Sequence, residues 1–377
     1  MIYLDQSATS LHKPPQVAEA VYRGLTGKLG NPGRGAHGPA RDALKEVAQA
    51  RRALGRYFGV SALQVAFASN ATMALNMAIK GALGPGDRAL TTSWSHNAML
   101  RPLYQLQQSG MTLDILPGAR LSIRDIENAL KPDTTAVVIN PMSNVSGDTL
   151  PLDAIATLCL KRGLLLIADL AQWAGVRGMP DVAEWPRTLL AFTGHKSLYG
   201  PQGTGGLIKL GDVSLCPVFV GGSGIHSFDR DHPDAFPEVC EAGTANVAGI
   251  MGLAAGVGWL METGQQAVTD RLSEHRSHFV AGLRNIPGVT LYGGQLEPGP
   301  VVALNLAGQD SAWVCEALDR RFGIAVRGGA HCAPLWHEAM GTVSQGVVRF
   351  SFSYFTTRQE IDLALDALRQ LAAGGPC

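Results

Sequence analysis

Five short apolar runs recur along the chain, at residues 65–68, 88–92, 136–140, 164–169 and 189–193. Most are separated by helical patterns such as 98–109 and 152–162. That alternation is the strongest constraint on the fold. It predicts an α/β architecture, with a mostly parallel sheet covered by helices on both faces. Sheets of this kind bind ligands at the carboxyl ends of their strands. A helix with apolar residues Ala43, Val47, Ala50 and Leu54 at helical spacing precedes the first run, and helices are also expected at 248–260 and 268–285. From about residue 262 the pattern changes to strand 301–306, helix 312–322, strand 347–353 and helix 358–372, which predicts a smaller α+β domain.

Charge balance excludes one class of function. Lys and Arg number 31 against 31 Asp and Glu, so no basic footprint points to nucleic acid. The six cysteines, at 159, 216, 240, 315, 332 and 377, form no CxxC pair. That spacing fits a reducing compartment rather than a disulfide framework. The first nine residues carry Asp5 and no apolar core of a signal peptide. The apolar run 247–261 contains four glycines and is too short to span a bilayer. A cytoplasmic protein without membrane contact is the expectation.

Strand ends hold the residues with chemistry. The run 164–169 closes on Asp169, with Gln172 three residues on. An aspartate there often just caps a helix; it is also placed to pair with a protonated ring nitrogen. Only eight lysines stand against 23 arginines, and Lys196 alone follows a strand beside a histidine, in Thr193-Gly194-His195-Lys196. A lysine in that setting can form a Schiff base with pyridoxal 5'-phosphate, the cofactor then acting as an electron sink. Ser69-Asn70-Ala71-Thr72 opens a helix and offers backbone donors to a phosphate, or an ordinary N-cap. His96 follows a strand and can stack on an aromatic ring, and Asn144 lies in a turn after another strand, within reach of a phenolic oxygen.

Cys332 ends the glycine-rich stretch Arg327-Gly328-Gly329-Ala330-His331-Cys332. Its neighbours His331 and Arg327 make a setting that favours a thiolate. Cys159 and Cys315 fit apolar helix faces, and Cys240 is expected to pack. Arg349, inside an apolar strand, needs a partner, for which a substrate carboxylate is a good match. A zinc site at His331, Cys332 and His337 fails on ligand number and spacing.

Taken together, these residues resemble the cysteine desulfurase family of the class V aminotransferase fold, in the branch with a short RxGxHC loop, here Arg327 to Cys332. The likeness runs from Tyr3-Leu4-Asp5-Gln6-Ser7-Ala8-Thr9 to Arg349-Phe350-Ser351 and the following Tyr354-Phe355-Thr356-Thr357. It implies a pyridoxal-phosphate-dependent transferase of fold type I, like aspartate aminotransferase. The large domain would span 13–261; residues 1–12 and 262–377 would form the small domain carrying the cysteine loop. Lys196 would hold the cofactor, Asp169 its ring nitrogen, Gln172 and Asn144 its phenolic oxygen, with His96 stacked on the ring. Ala71, Thr72, Thr193 and His195 would bind its phosphate. Thr244 matches a residue that reaches the phosphate of a partner subunit, which implies a homodimer. Arg349 would take the substrate carboxylate, with Arg327 and Asn144 assisting.

The implied reaction converts L-cysteine to L-alanine. Lys196 moves the α-proton, with His96 as a helper, and Cys332 takes the sulfur as a persulfide and passes it to an acceptor protein. The chain departs from the family pattern at Gln6, at Ala245 in Gly243-Thr244-Ala245-Asn246, and at Ser93-Trp94-Ser95 before His96. Selenocysteine lyase or another class V lyase activity is the alternative on the same scaffold. A non-catalytic binding module is the remaining one.

Overall fold

The computed structural model describes residues 1–33, 35–185, 187–225, 227–294 and 298–374. The chain opens with a two-residue strand, β1 (Ile2–Tyr3), then helices α1 (Pro15–Thr26) and α2 (Gly38–Phe58). The α/β region follows: β2 (Val65–Ala68), α3 (Ala71–Ala82), β3 (Arg88–Thr92), α4 (Asn97–Gln108), β4 (Thr112–Leu116), α5 (Ile123–Ala129), β5 (Ala136–Ile139), α6 (Leu152–Arg162), β6 (Leu165–Asp169), β7 (Thr188–Thr193) and β8 (Gly205–Leu210). These strands make one sheet in the order β2-β8-β7-β6-β5-β3-β4. Only β8 runs against its neighbours; the other ladders are parallel.

Burial explains why the central strands read so plainly. β5, β6 and β7 are buried at every residue, because helices cover both faces. Caps set the helix ends: the Asn70 side chain accepts from Met73 N at the start of α3, and Gly59 and Gly163 take left-handed conformations after α2 and α6.

Two long helices lead out of this region. α7 (Val247–Thr263) packs on α1 and α2, and α8 (Gln265–Leu283) leaves it at an angle of 86°. Among the described residues no single helix is long and apolar enough to cross a membrane. The C-terminal part holds β9 (Val289–Tyr292), β10 (Val301–Leu306), α9 (Ser311–Phe322), β11 (Ile324–Ala325), α10 (Pro334–Met340), β12 (Val348–Ser351) and α11 (Arg358–Ala373). Its antiparallel sheet runs β12-β10-β9, and β11 pairs in parallel with β1 from the far end of the chain. Leu4 is buried in the same core as Phe279, Leu304, Phe350 and Leu368. The first residues therefore pack with the last hundred rather than with the large sheet.

Candidate active site

Parallel strands deliver the polar side chains to one edge. Asp169 ends β6, Thr193 ends β7 and leads to His195 and Lys196, and the ladder sets Asp169 beside Ala191. His96 follows β3, Asn144 follows β5, and Ala71 and Thr72 open α3 after β2. A cleft of about 500 Å³ collects these residues: its walls include Ala71, Thr72, His96, Asn144, Asp169, Gln172, Thr193, His195 and Lys196. Gly175 lets the segment after Asp169 approach the lysine turn; a Cβ there would stand 2.0 Å from the Ser197 carbonyl oxygen, at φ +85°.

The electrostatics suit amine chemistry. Burial pulls the Lys196 ammonium down to about 8; Asp169 and Asp5 oppose that shift, and Arg349 and Arg327 reinforce it. Burial raises the Asp169 carboxyl above its usual range, against a hydrogen bond that its Oδ1 accepts from Ala171 N. His96 is pulled down to about 4, chiefly by burial and next by Lys196, and its Nδ1 accepts from Ala98 N at 3.0 Å. The ring is therefore neutral, with its hydrogen on Nε2. His195 is likewise held near 4 by burial.

Among the buried polar atoms at the cleft that lack partners are Thr193 Oγ1 and His195 Nδ1. Such orphans are costly unless a ligand satisfies them. Together with the N-terminus of α3, they form a donor set that fits a phosphate. A buried carboxylate and a buried lysine on adjacent strand ends fit the ring nitrogen and aldehyde of pyridoxal phosphate.

The C-terminal part carries the loop that holds Cys332. Arg327 and Arg349 pair as an antiparallel bridge, and the loop between them is hydrogen-bonded to segments that wall the cleft. Asn144 Nδ2 donates to the His331 carbonyl at 2.8 Å, and Asn97 N donates to the Cys332 carbonyl at 2.8 Å. His331 and Cys332 both have positive φ, +47° and +56°. Cys332 is partly exposed, whereas Cys159 and Cys240 are buried and burial pushes their thiols up to about 12. Cys315, expected in the core, is only half-buried, and Cys377 lies outside the described residues.

Two expectations need correction. His331 does not supply positive charge beside Cys332: it is 2% exposed, its pKa falls to about 3 through burial, and its Nε2 donates to the Val347 carbonyl at 3.0 Å. Arg349 is not waiting for a partner. Its Nη2 pairs with Asp5 Oδ1 at 2.7 Å and its Nη1 donates to the Asn144 carbonyl at 3.0 Å, while Nε alone is unsatisfied. Gln172 lines the cleft, and its amide donates one hydrogen to the Ser7 carbonyl at 3.2 Å. Thr244 stands apart: it is exposed, beside Asn31, and outside the Lys196 cleft.

The sequence reading missed the N-terminal segment. Ser10 N and Oγ and Thr9 Oγ1 all donate to the His195 carbonyl, next to Lys196. The hydroxyl-rich run Ser7 to Ser10 was the available signal. Asn140 was missed as a wall of the cleft; its amide braces the Trp94 and Met142 carbonyls. Among the described residues no three His, Cys, Asp or Glu side chains are grouped to hold a metal ion.

Comparison with known proteins agrees with this geometry. The aminotransferase class-V family model matches residues 2–364. The chain is 31% identical to a "Probable cysteine desulfurase" of Mycolicibacterium paratuberculosis, covering all of this chain but only 56% of that longer protein. It is 28% identical to a protein of the same description from Methanothermobacter thermautotrophicus, over 99% of this chain and 95% of the relative. The apo structure of a cysteine desulfurase from Thermococcus onnurineus superposes with a TM-score of 0.91 at 27% identity, covering 99% and 95% of the two chains.

Proposed function

The chain belongs to the aminotransferase class-V family and, within it, to the cysteine desulfurases; from that premise we propose that it converts L-cysteine to L-alanine and passes the sulfur through a persulfide on Cys332. One observation carries the reading. The cysteine loop from the C-terminal part is hydrogen-bonded, through Asn144 and Asn97, to the segments that wall the Lys196 cleft. A Schiff-base lysine and a thiol nucleophile thus serve one cleft.

Pyridoxal phosphate, when bound, supplies an electron sink for charge developing at the substrate α-carbon. Lys196 and Asp169 would hold its aldehyde and ring-nitrogen ends, and Thr193, His195, Ala71 and Thr72 its phosphate. The amine of Lys196, drawn down to about 8, takes and returns a proton at the α-carbon near neutral pH. His96 is neutral and its ring is fixed by Ala98 N, so it stays in one orientation at the cleft. Arg349, through the one nitrogen left unpaired, Nε, and Arg327 would take the substrate carboxylate. Cys332 Sγ attacks the substrate sulfur: an S–S bond forms, the Cβ–S bond breaks, and its electron pair stays with carbon. A proton then completes the methyl group of alanine.

The position of Thr244 supports a homodimer. It is exposed and outside its own cleft, as suits a side chain that serves a second copy. A sulfur-acceptor protein and a cytoplasmic setting complete the reading, the latter resting on cysteine spacing without pairs.

The test is alanine formation from L-cysteine and from L-selenocysteine, by wild type and by Cys332→Ser. The variant should fail on L-cysteine. Equal activity of wild type and variant on L-cysteine would sink the persulfide step. Activity on L-selenocysteine alone would indicate a selenocysteine lyase.

A further inference from the structure

Asn144 stands where three parts of the site meet. Its side chain walls the Lys196 cleft. Its Nδ2 donates to the His331 carbonyl at 2.8 Å, and its own carbonyl accepts from Arg349 Nη1 at 3.0 Å. Its Oδ1 is buried and unpartnered, so the amide orientation follows from the His331 carbonyl, which only a donor can face. The residue is held stiffly. Ser143 Oγ accepts from Val145 N and Ser146 N, and Ser143 N donates to the Asp148 carbonyl at 2.8 Å.

The loop it grips is under strain. His331 and Cys332 are consecutive residues with a Cβ in the left-handed region, a conformation that costs each of them free energy. Such a pair persists only where surrounding bonds over-determine it. Several ties come from the C-terminal part itself: His331 Nε2 to the Val347 carbonyl, Gly329 N to Ser311 Oγ, and Ala333 N to the Ala330 carbonyl. Across the gap, Asn97 N holds the Cys332 carbonyl through the backbone. The bond from Asn144 is made by a side chain, and a substitution removes it cleanly.

We propose that Asn144 is a positioning residue for Cys332: its amide latches the strained His331–Cys332 turn onto the cleft and thereby aims the nucleophile. The inference rests on the desulfurase reading for its purpose, but not for its test.

The experiment follows the alkylation of Cys332 by iodoacetamide, peptide by peptide with mass spectrometry. It uses the full chain, both free of cofactor and loaded with pyridoxal phosphate. Asn144→Asp keeps the shape but sets an acceptor against the His331 carbonyl; Asn144→Ala deletes the bond and decides the matter if the Asp variant does not fold. Losing one buried hydrogen bond is expected to speed Cys332 alkylation about tenfold in the cofactor-free protein, equivalent to about 1.4 kcal/mol. Cys159 and Cys240, both buried in the large region, should react at the wild-type rate. A Cys332 rate within about twofold of wild type overturns the proposal. So does a parallel rise at Cys159 and Cys240, since the protein would then have loosened as a whole. Failure of the desulfurase reading shows differently, as wild-type protein that makes no alanine.

Discussion

Arg349 offers the sharpest energetic test. It sits in β12 between Val348 and Phe350, each 0% exposed, and is itself only 2% exposed. Its charge is balanced by Asp5, 344 residues away in sequence, at 2.7 Å. Burial chiefly, and the nearby charge of Arg327, lower the pKa of this guanidinium, and Asp5 opposes the shift. Asp5→Ala leaves the cation buried with a carbonyl for company. Breaking a buried pair from one side costs about 3–5 kcal/mol. The Asp5 side chain is 18% exposed, so water gains some access, which sets the expectation near about 3 kcal/mol. Arg349→Met keeps the aliphatic stem and strands only the more accessible carboxylate, so it should cost less, about 1–2 kcal/mol. Urea denaturation of the cofactor-free protein, followed by tryptophan fluorescence and circular dichroism, measures both single variants and the double variant. The refuting result is an order reversed from this one, or costs that simply add. Either would mean that Asp5 is not the counter-ion on which Arg349 depends.

Two further outcomes follow from the titrating groups. His331 titrates at about 3 in the fold against 6.5 for the free group, so the unfolded chain binds a proton that the folded chain refuses. Its contribution is therefore present above the unfolded value and lost as pH falls from about 6.5 toward about 3; between about pH 7 and about pH 5 the loss is about 2 kcal/mol. His331→Gln should flatten the fall in urea midpoint over that interval, and a slope equal to that of wild type would show that another group governs it. Lys196, held near 8, reacts with an aldehyde only as the free amine. Uptake of pyridoxal phosphate, read by visible absorbance, should accelerate as pH rises through about 8 and vanish in Lys196→Ala; a rate indifferent to pH would contradict the depressed amine.

Legibility in the sequence tracked burial. β5, β6 and β7 are buried on both faces, so their apolar runs are continuous and their last residues, including Asp169 and Thr193, could be placed at a ligand edge. β4 was missed because it is an edge strand whose Asp114 pairs with Arg88 and Lys131, which breaks the apolar pattern. β8 begins with Gly205 and Gly206, which are needed there because a Cβ would stand 2.6 Å from the Phe192 carbonyl oxygen or 2.4 Å from that of Ala66. α1 carried a start signal, Pro14-Pro15, but its exposed Tyr22 and Leu25 blur the apolar stripe. The charge state of His331 was out of reach, since adjacency to Cys332 says nothing about the Val347 carbonyl that holds the ring.

The residues that sequence reading could not weigh are those that join the two halves of the site. Lys196 belongs to the large sheet and Cys332 to the C-terminal part, so their registry depends on bonds between the two. Residues 5–10 supply one set. Asp5 holds Arg349, Ser7 N donates to Ser351 Oγ, and the Ser7 carbonyl takes the Gln172 amide. Thr9 and Ser10 then close on the His195 carbonyl. Asn144 and Asn97 supply the other set, on the carbonyls of His331 and Cys332. Because the Asn144 carbonyl also accepts from Arg349, the two sets share a member. Loosening Arg349 through Asp5→Ala therefore disturbs the backbone that carries the Asn144 amide. The same substitution should raise Cys332 alkylation along with its cost in stability, and the rise should be smaller in a protein that already lacks that amide.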